Sequence, residues 1–232
     1  MALSDLFGRL RKDKDEGGSE ASAEDAVIVP SKVLAPFLAG LASRQRPVLL
    51  DLGPVVGSNV TFFGEEVGCK IFVEDLSADI DRHVVAGTIH ELPAFFDQRF
   101  PQAPDTVDGI LCWDIFDYME RPAAERLAGQ LMRLLRPEGL LLAFFGTADL
   151  RSSPHPTYTR HVVVDRGHLR YRPYQAARAK QKPSVNRDIQ RLFPPLRIAE
   201  NVLLKTNLRE VLFRKPADVA AVSTAGPPST PS

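Results

Sequence analysis

Short runs of apolar residues alternate along this chain with longer amphipathic stretches. The runs cover residues 48–52, 70–74, 108–113 and 139–145. Each is short, nearly continuous in apolar residues and bounded by Gly, Pro or acidic residues, as is typical of strands buried on both faces of a parallel sheet. Between the runs, apolar residues recur at helical spacing, most clearly in 31–43 and 122–135. This alternation predicts an α/β fold.

The second half of the chain departs from that alternation. Tyr158 to Val164 and His168 to Tyr174 read as two strands joined by Asp165-Arg166-Gly167, which favours a hairpin turn. Residues 196–204 and 208–213 read as a final antiparallel pair, and Val84 to Ala86 as a further short strand. The prediction is a doubly wound, seven-stranded, mostly parallel sheet with an antiparallel last strand and a hairpin inserted at about 151–182.

The rest of the chain reads as tails around one domain at 27–215. Residues 1–11 have helical apolar spacing beside basic residues, which predicts either contact with a membrane surface or partner, or docking on the chain's own domain. Residues 12–25 read as a charged linker and 216–232 as a disordered tail. The 232 residues are 44% hydrophobic and carry no net charge, without a recognisable signal peptide or long apolar run, so the cytoplasm is the expected location. Cys69 and Cys112 are expected to be packed free thiols.

The strand at 48–52 runs into a turn that contains Gly53 and Gly57, and Ser58 or Asn59 can cap a following helix. A strand, a glycine turn and a helix N-terminus allow a nucleotide-like ligand to approach bare backbone. The next strand ends in Glu74-Asp75, and an acid at that position is where a ribose diol would be held.

These segments resemble a known family. Asp51-Leu-Gly53-x-x-x-Gly57, followed by Phe72-Val-Glu74-Asp75-Leu76-Ser77, is similar to the first two motifs of the class I S-adenosylmethionine-dependent methyltransferases. Val107 to Asp114 resembles the family's fourth strand, and Leu135-Arg-Pro137-Glu-Gly139-Leu140 its helix-to-strand turn. The sequence departs from the family at Val55, where a glycine is usual, and at Thr88, where an acid is usual.

The resemblance implies S-adenosyl-L-methionine as cofactor and a set of residues around it. These are Asp51, Gly53, Pro54, Gly57, Glu74, Asp75, Leu76, Thr88, Ile89, Trp113 and Asp114. Either Glu74 or Asp75 would face the ribose, because successive residues of a strand point to opposite faces. Trp113 would stack on adenine or belong to the core, and Asp114 would contact the cofactor or act as a base. Tyr118 lies in the segment that would line the acceptor pocket.

Charge is segregated although its sum is zero. Residues 61–125 hold 14 acids against 4 Lys/Arg, and residues 151–191 hold 10 Lys/Arg against 2 acids. Arg170 and Arg172 on the second hairpin strand predict contacts with an anionic acceptor or partner, with the acidic face of a second copy, or with solvent alone. The histidines at 155, 161 and 168 match no tight metal-binding spacing.

Two functions are compatible with these patterns. The first is an S-adenosylmethionine-dependent methyltransferase that acts on an unidentified acceptor. The second is a methyltransferase-like binding or scaffold protein without catalysis, which Val55 and Thr88 favour. A nicotinamide dehydrogenase fits poorly, because the turn lacks Gly-x-Gly-x-x-Gly.

Overall fold

A computed structural model describes residues 27–148, 155–181 and 183–217 of the chain. The predictions for the N-terminal amphipathic segment, the linker and the C-terminal tail beyond residue 217 lie outside the described residues. Within the described ranges, no helix is both long and apolar enough to cross a bilayer.

The strands form two sheets. They are β1 Val27–Pro30, β2 Val48–Asp51, β3 Lys70–Val73, β4 Val107–Trp113, β5 Leu135–Gly146, β6 Thr157–Asp165, β7 His168–Gln175, β8 Arg197–Leu203 and β9 Leu208–Arg214. The main sheet has the order β3-β2-β4-β5-β9-β8. Its strands β3, β2, β4 and β5 pair in parallel, whereas β9 is antiparallel to both β5 and β8. The predicted mostly parallel sheet with an antiparallel last strand is confirmed.

Helices cover both faces of the main sheet, as a doubly wound fold requires. They are α1 Leu34–Ala42, α2 Gly57–Thr61, α3 Leu76–Val85, α4 Leu92–Arg99, α5 Arg121–Leu134 and α6 Asn186–Leu192, with a π-helical turn at Phe62–Glu66 and 3-10 turns at Ile89–Glu91 and Ile115–Tyr118. Apolar residues of α3, α4, α5 and α6 form one core cluster with the sheet, and those of α1 and the π-turn form another on the opposite face.

Two local predictions are wrong. The strand predicted at Val84–Ala86 is instead the end of α3, where the Ala86 N–H donates to the Arg82 carbonyl at 3.0 Å. The β-branched pair there favours a strand only weakly, and these residues instead continue α3, whose start is capped by Asp75. The main sheet therefore has six strands among the described residues, where seven were predicted. Neither Ser58 nor Asn59 caps α2, whose N-cap is Val56 without a side-chain hydrogen bond.

The inserted hairpin is confirmed as β6 and β7, and it belongs to a second sheet of order β1-β7-β6. The Gly167 N–H donates to Asp165 Oδ1 at 2.7 Å and closes its turn. Strand β1, which was not predicted, pairs antiparallel with β7 from Val27 opposite Tyr171 to Pro30 opposite His168. We refer to β1, β6 and β7 as the hairpin sheet.

The order of the main sheet creates one special position. From β2 the chain passes to β3 on one side and later to β4 on the other, so β2 and β4 are neighbours with connections that leave in opposite directions. Ligands of open α/β sheets bind at such a switch point, beyond the carboxyl ends of the strands. We call the ends of β2, β3 and β4 and the residues that follow them the carboxyl edge.

Candidate functional site

Asp51 lies at the centre of the carboxyl edge, at the end of β2. Its Oδ1 atom accepts hydrogen bonds from the Gly53 N–H at 3.0 Å and from the Trp113 Nε1–H at 2.7 Å. Burial raises the pKa of Asp51 to about 6, although both hydrogen bonds oppose that rise. Asp51 thus orients the turn and also links it to the end of β4.

Trp113 ends β4 with φ 50°, in the left-handed region that an aromatic residue rarely adopts. Its indole packs directly on Gly53, where an added Cβ would lie 2.8 Å from the indole Cδ1 atom. Position 53 therefore requires glycine because of a close approach by a side chain. Trp113 is only 4% exposed.

The rest of the turn is less tightly packed and can accommodate different side chains. A Cβ added at Gly57 would meet nothing within 4 Å, and Pro54 is half-buried. Val55 is 65% exposed, so its side chain points away from the packed part of the carboxyl edge. The replacement of glycine by valine at this position is accommodated at the surface.

The two acids after β3 have different environments. Glu74 is held by Arg99 Nη1 at 2.6 Å and by Gln102 Nε2 at 3.4 Å. Asp75 accepts from the Ala78 N–H at 3.1 Å through Oδ1, as the N-cap of α3. Leu76, which follows it, is fully buried in the core. Of the two acids, Asp75 is the one without a cationic partner among the described residues.

Two other predicted cofactor residues follow α3. The Thr88 Oγ1 atom lies 2.9 Å from His83 Nδ1 and forms a hydrogen bond with it. Ile89 is half-buried and packs against the larger core cluster. Both side chains are thus engaged within the protein.

A buried ion cluster lies beyond β4 and was not predicted. Lys180 Nζ lies 2.8 Å from Asp114 Oδ2 and 3.0 Å from Asp117 Oδ2, and Asp117 Oδ2 also accepts from the Gly146 N–H. Burial favours the protonated form of Asp114, but Lys180 and His161 outweigh it and lower its pKa. Burial prevails at Asp117 and raises its pKa, while the two carboxylates raise the pKa of Lys180 against the effect of burial.

The hairpin sheet lies against the carboxyl edge. The imidazole of His161 on β6 is parallel to the indole of Trp113, with ring centroids 4.9 Å apart and planes at 2°. The buried side chain of Asn59 holds the same strand, donating to the His161 carbonyl and accepting from the Val163 N–H, both at 2.8 Å. His161 and Asn59 are thus site residues that the sequence did not indicate, because their roles depend on contacts distant in sequence.

Tyr118 also lies beneath the hairpin sheet. Its hydroxyl donates to the Thr157 carbonyl at 2.6 Å, and its ring packs against Tyr158 with centroids 4.5 Å apart. The Tyr158 hydroxyl in turn donates to Asp81 at 2.8 Å. The predicted acceptor-pocket tyrosine is therefore covered by the hairpin.

Arg170 and Arg172 lie on the outer part of the hairpin sheet. Arg172 is exposed and stands directly opposite Arg160 on β6, while Arg170 is half-buried opposite Val162. The guanidinium of Arg160 lies over the ring of Tyr174, 4.5 Å from its centroid. Within the described residues none of these three arginines forms an ion pair, so no described acid neutralises the positive charge of this face.

Several side chains that the resemblance assigns to S-adenosylmethionine are bound to other side chains of the protein in this arrangement. Asp51 is bonded to Trp113, and Trp113 is covered by His161. Glu74 is bonded to Arg99 and Thr88 to His83. The carboxyl edge in this arrangement is closed by the protein's own side chains.

Comparison with known proteins gives structural likenesses only. No family model and no curated protein matches the chain. Among solved structures it is similar to the 1,6-didemethyltoxoflavin-N1-methyltransferase of Burkholderia thailandensis, bound to 1,6-didemethyltoxoflavin and S-adenosylhomocysteine (16% identity, 80% of this chain and 79% of that chain, TM-score 0.46). It is also similar to a SAM-dependent methyltransferase from Aquifex aeolicus (15%, 79% and 87%, 0.47) and to the CcbJ methyltransferase of Streptomyces caelestis (13%, 87% and 100%, 0.46). At these identities and TM-scores the likenesses do not determine a function for this chain, and its fold assignment rests on the strand order and register given above.

Proposed function

We propose that this protein is an S-adenosylmethionine-dependent methyltransferase with an unidentified acceptor, in a form whose carboxyl edge is closed. One observation carries the proposal: the motif residues Asp51, Gly53 and Trp113 are in direct contact at the switch point of the sheet. Asp75 lies close enough to Asp51 for its charge to help raise the pKa of that buried carboxyl. Residues distant in sequence thus converge where an α/β sheet binds its ligands.

Asp75 is the candidate for the ribose diol in this proposal. It carries no cationic partner in the described ranges, whereas Glu74 is tied to Arg99. A carboxylate that accepts from a hydroxyl pair contributes a charged hydrogen bond, worth about 1.5–3 kcal/mol.

The test is calorimetric titration with S-adenosylhomocysteine. The variant Asp75→Asn retains a good N-cap for α3 but loses the charge, so we expect its affinity to fall roughly tenfold or more while its stability stays close to that of the wild type. The matched control is Glu74→Gln, which we expect to leave affinity unchanged because that side chain faces Arg99. Equal losses in both variants would remove Asp75 from the proposed role.

A second candidate function is a methyltransferase-like binding or scaffold protein without catalysis. The observation that favours it is the closed carboxyl edge, where His161 covers Trp113 and Glu74 is held by Arg99. Wild-type protein that gives no calorimetric signal at millimolar S-adenosylmethionine and S-adenosylhomocysteine would establish this candidate over the first.

The acceptor or partner that we propose is anionic. This is supported by the face of the hairpin sheet on which Arg160, Arg170 and Arg172 lie without acidic partners among the described residues. Like charges placed directly opposite each other destabilise an antiparallel pair, so an anion bound between Arg160 and Arg172 would relieve a cost that the fold itself leaves in place.

A further inference from the structure

The face of the hairpin sheet that carries its three arginines also exposes apolar side chains. Ile28 stands opposite Arg170 in the pairing of β1 with β7, so the two side chains lie on one face of the sheet. Two residues from these along their strands, the same face carries Pro30 and Arg172, and Arg160 on β6 stands opposite Arg172. Ile28 is 50% exposed, and Pro30 is exposed as well. This surface, the outer face, is thus both cationic and apolar.

Little negative charge offsets the outer face. Among the residues of β1, β6 and β7 the one acid is Asp165, at the end of β6. Its carboxylate accepts from the Gly167 N–H at 2.7 Å and is hydrogen-bonded to His168 Nδ1 at 2.9 Å. The three arginines form no ion pair within the described residues, so their charge favours an anion from outside the chain.

The N-terminal part of the chain joins the domain beside the outer face. Strand β1 begins at Val27, which pairs with Tyr171, so residues 1–26 enter the sheet next to Arg172. The sequence of that part begins with apolar residues at helical spacing and basic residues beside them, namely Leu3, Leu6, Phe7 and Leu10 with Arg9, Arg11, Lys12 and Lys14. Residues 12–26 can extend over at most about 50 Å, so residues 1–11 can reach a surface that the outer face touches.

We propose that the outer face and residues 1–11 together bind the surface of an anionic lipid bilayer. The proposal rests on the proposed function only in taking the partner to be anionic, and it does not depend on the cofactor. Anionic headgroups attract the arginines, and the interfacial region of the bilayer covers Ile28 and the apolar side chains of residues 1–11. A single weak anchor gives only marginal attachment to a bilayer, whereas an apolar anchor together with a basic patch gives stable attachment.

A bilayer fits the outer face better than a nucleic acid does. Proteins that bind single strands offer aromatic rings on which bases stack. On the outer face the ring of Tyr174 is covered by Arg160 and its hydroxyl is buried, while Tyr171 points to the opposite face. The apolar residues that the sheet exposes are aliphatic, Ile28 and, near the hairpin turn, Val164 at 40% exposure. A bilayer interface can cover such side chains, but a phosphate backbone cannot.

Co-sedimentation of the full-length protein with lipid vesicles tests the proposal. Vesicles of phosphatidylcholine alone are compared with vesicles of equal parts phosphatidylcholine and phosphatidylserine. We expect the wild type to sediment with the anionic vesicles and to remain in solution with the neutral ones. The binding should weaken as salt is added, because the contribution of the arginines is electrostatic.

Three double variants assign the binding to the two surfaces. Arg170→Ala with Arg172→Ala should weaken binding to anionic vesicles about tenfold or more, because it removes two cations from the outer face. Leu6→Ser with Phe7→Ser should weaken it at least about tenfold, because it removes apolar anchors. The matched control is Arg187→Ala with Arg191→Ala, which removes the same charge from exposed positions of α6 and should leave binding close to that of the wild type.

The outcomes separate this proposal from the function on which it rests. A wild type that binds polyphosphate or single-stranded RNA but neither kind of vesicle would overturn the bilayer proposal and leave the anionic partner in place. Equal losses in the outer-face and α6 variants would overturn it as well, because net charge alone would then explain the binding. Full binding by the Leu6→Ser, Phe7→Ser variant would remove residues 1–11 from the surface. A protein that binds anionic vesicles but gives no signal with S-adenosylhomocysteine would keep the bilayer proposal and lose the cofactor.

Discussion

The main sheet and the hairpin sheet are stabilised by different kinds of contact. Strand β4 is buried along its whole length and β5 from Gly139 to Phe145, and helices cover both faces of the sheet with apolar side chains. The hairpin sheet contributes Val29, Val163 and Leu169 to one core cluster and Tyr158 to the other, but its attachment to the carboxyl edge also includes polar contacts. Asn59 and Asp81 provide these polar contacts, and the Lys180 cluster holds the segment that follows β7.

The two kinds of contact should respond differently to pH and salt. Apolar burial responds weakly to pH and salt, so the main sheet should hold its structure across conditions. Hydrogen bonds and ion pairs can be replaced by bonds to water, so the contacts between the hairpin sheet and the carboxyl edge can open while the core stays folded.

The largest expected effect is from Lys180→Met. This change leaves Asp114 and Asp117 buried beside each other without a cation, which should lower the free energy of unfolding by about 3–5 kcal/mol. Denaturant unfolding measures it. The matched control is Arg178→Met, whose partner Glu120 is 68% exposed at its side chain, and its loss should stay within about 1 kcal/mol. Similar losses in the two variants would show that the buried cluster does not hold the hairpin in place.

The two sheets also differ in how far the sequence predicts them. Residues 48–52 and 108–113 are predicted as buried strands because each is a short, nearly continuous apolar run. The structure has β2 and β4 there. The hairpin turn was readable from Asp165-Arg166-Gly167, since that chemistry is local. By contrast β1 has four residues and ends in Pro30, and only its pairing with β7 makes it a strand.

The sequence indicated which residues follow the strands of the carboxyl edge, but not how their side chains are arranged. The resemblance put Asp51, Gly53 and Trp113 in one predicted site, and the structure joins them through hydrogen bonding and packing. It did not indicate that His161 covers Trp113, because stacking between distant residues leaves no periodic signal. From charge segregation we expected the basic segment to contact an anionic partner, the acidic face of a second copy or solvent alone, whereas the pair of Lys180 and Asp114 joins the basic and acidic segments within the chain.

The next largest effect concerns pH and compares His161 with Asp51. Burial lowers the pKa of His161 to about 4, against the pull of Asp114, so the unfolded chain binds more protons than the folded protein between pH 6.5 and about 4. Stability should therefore fall as the pH falls through that window, by up to about 3 kcal/mol from this group. Asp51 acts in the opposite sense, because its raised pKa of about 6 makes the folded protein bind the extra proton between about pH 6 and 3.8.

Two variants separate these contributions, and unfolding free energies measured between pH 4 and 7 compare them. Relative to the wild type, His161→Phe should lose the acid-side decline, and Asp51→Asn should show a steeper one. Differences from the wild type cancel the titration of groups that all three proteins share. Parallel pH profiles for the wild type and His161→Phe would contradict a neutral, buried imidazole on Trp113.

The smallest expected effect on stability tests the outer face of the hairpin sheet. Replacing Arg170 and Arg172 together by alanine removes two cations that form no ion pair within the described residues, so each change should alter the unfolding free energy by no more than about 0.5 kcal/mol. Thermal unfolding of the double variant measures this, with Arg99→Ala as a contrasting control because Arg99 pairs with both Glu74 and the buried Asp79.

The wild type and the double variant are then compared for retention on a polyphosphate matrix at low and high salt. We expect the double variant to be retained less at low salt and the difference to vanish at high salt, since exposed charges are screened over about 8 Å at physiological ionic strength. A large drop in melting temperature would mean that the arginines hold the hairpin sheet together, and it would contradict the proposal that this face binds an anion.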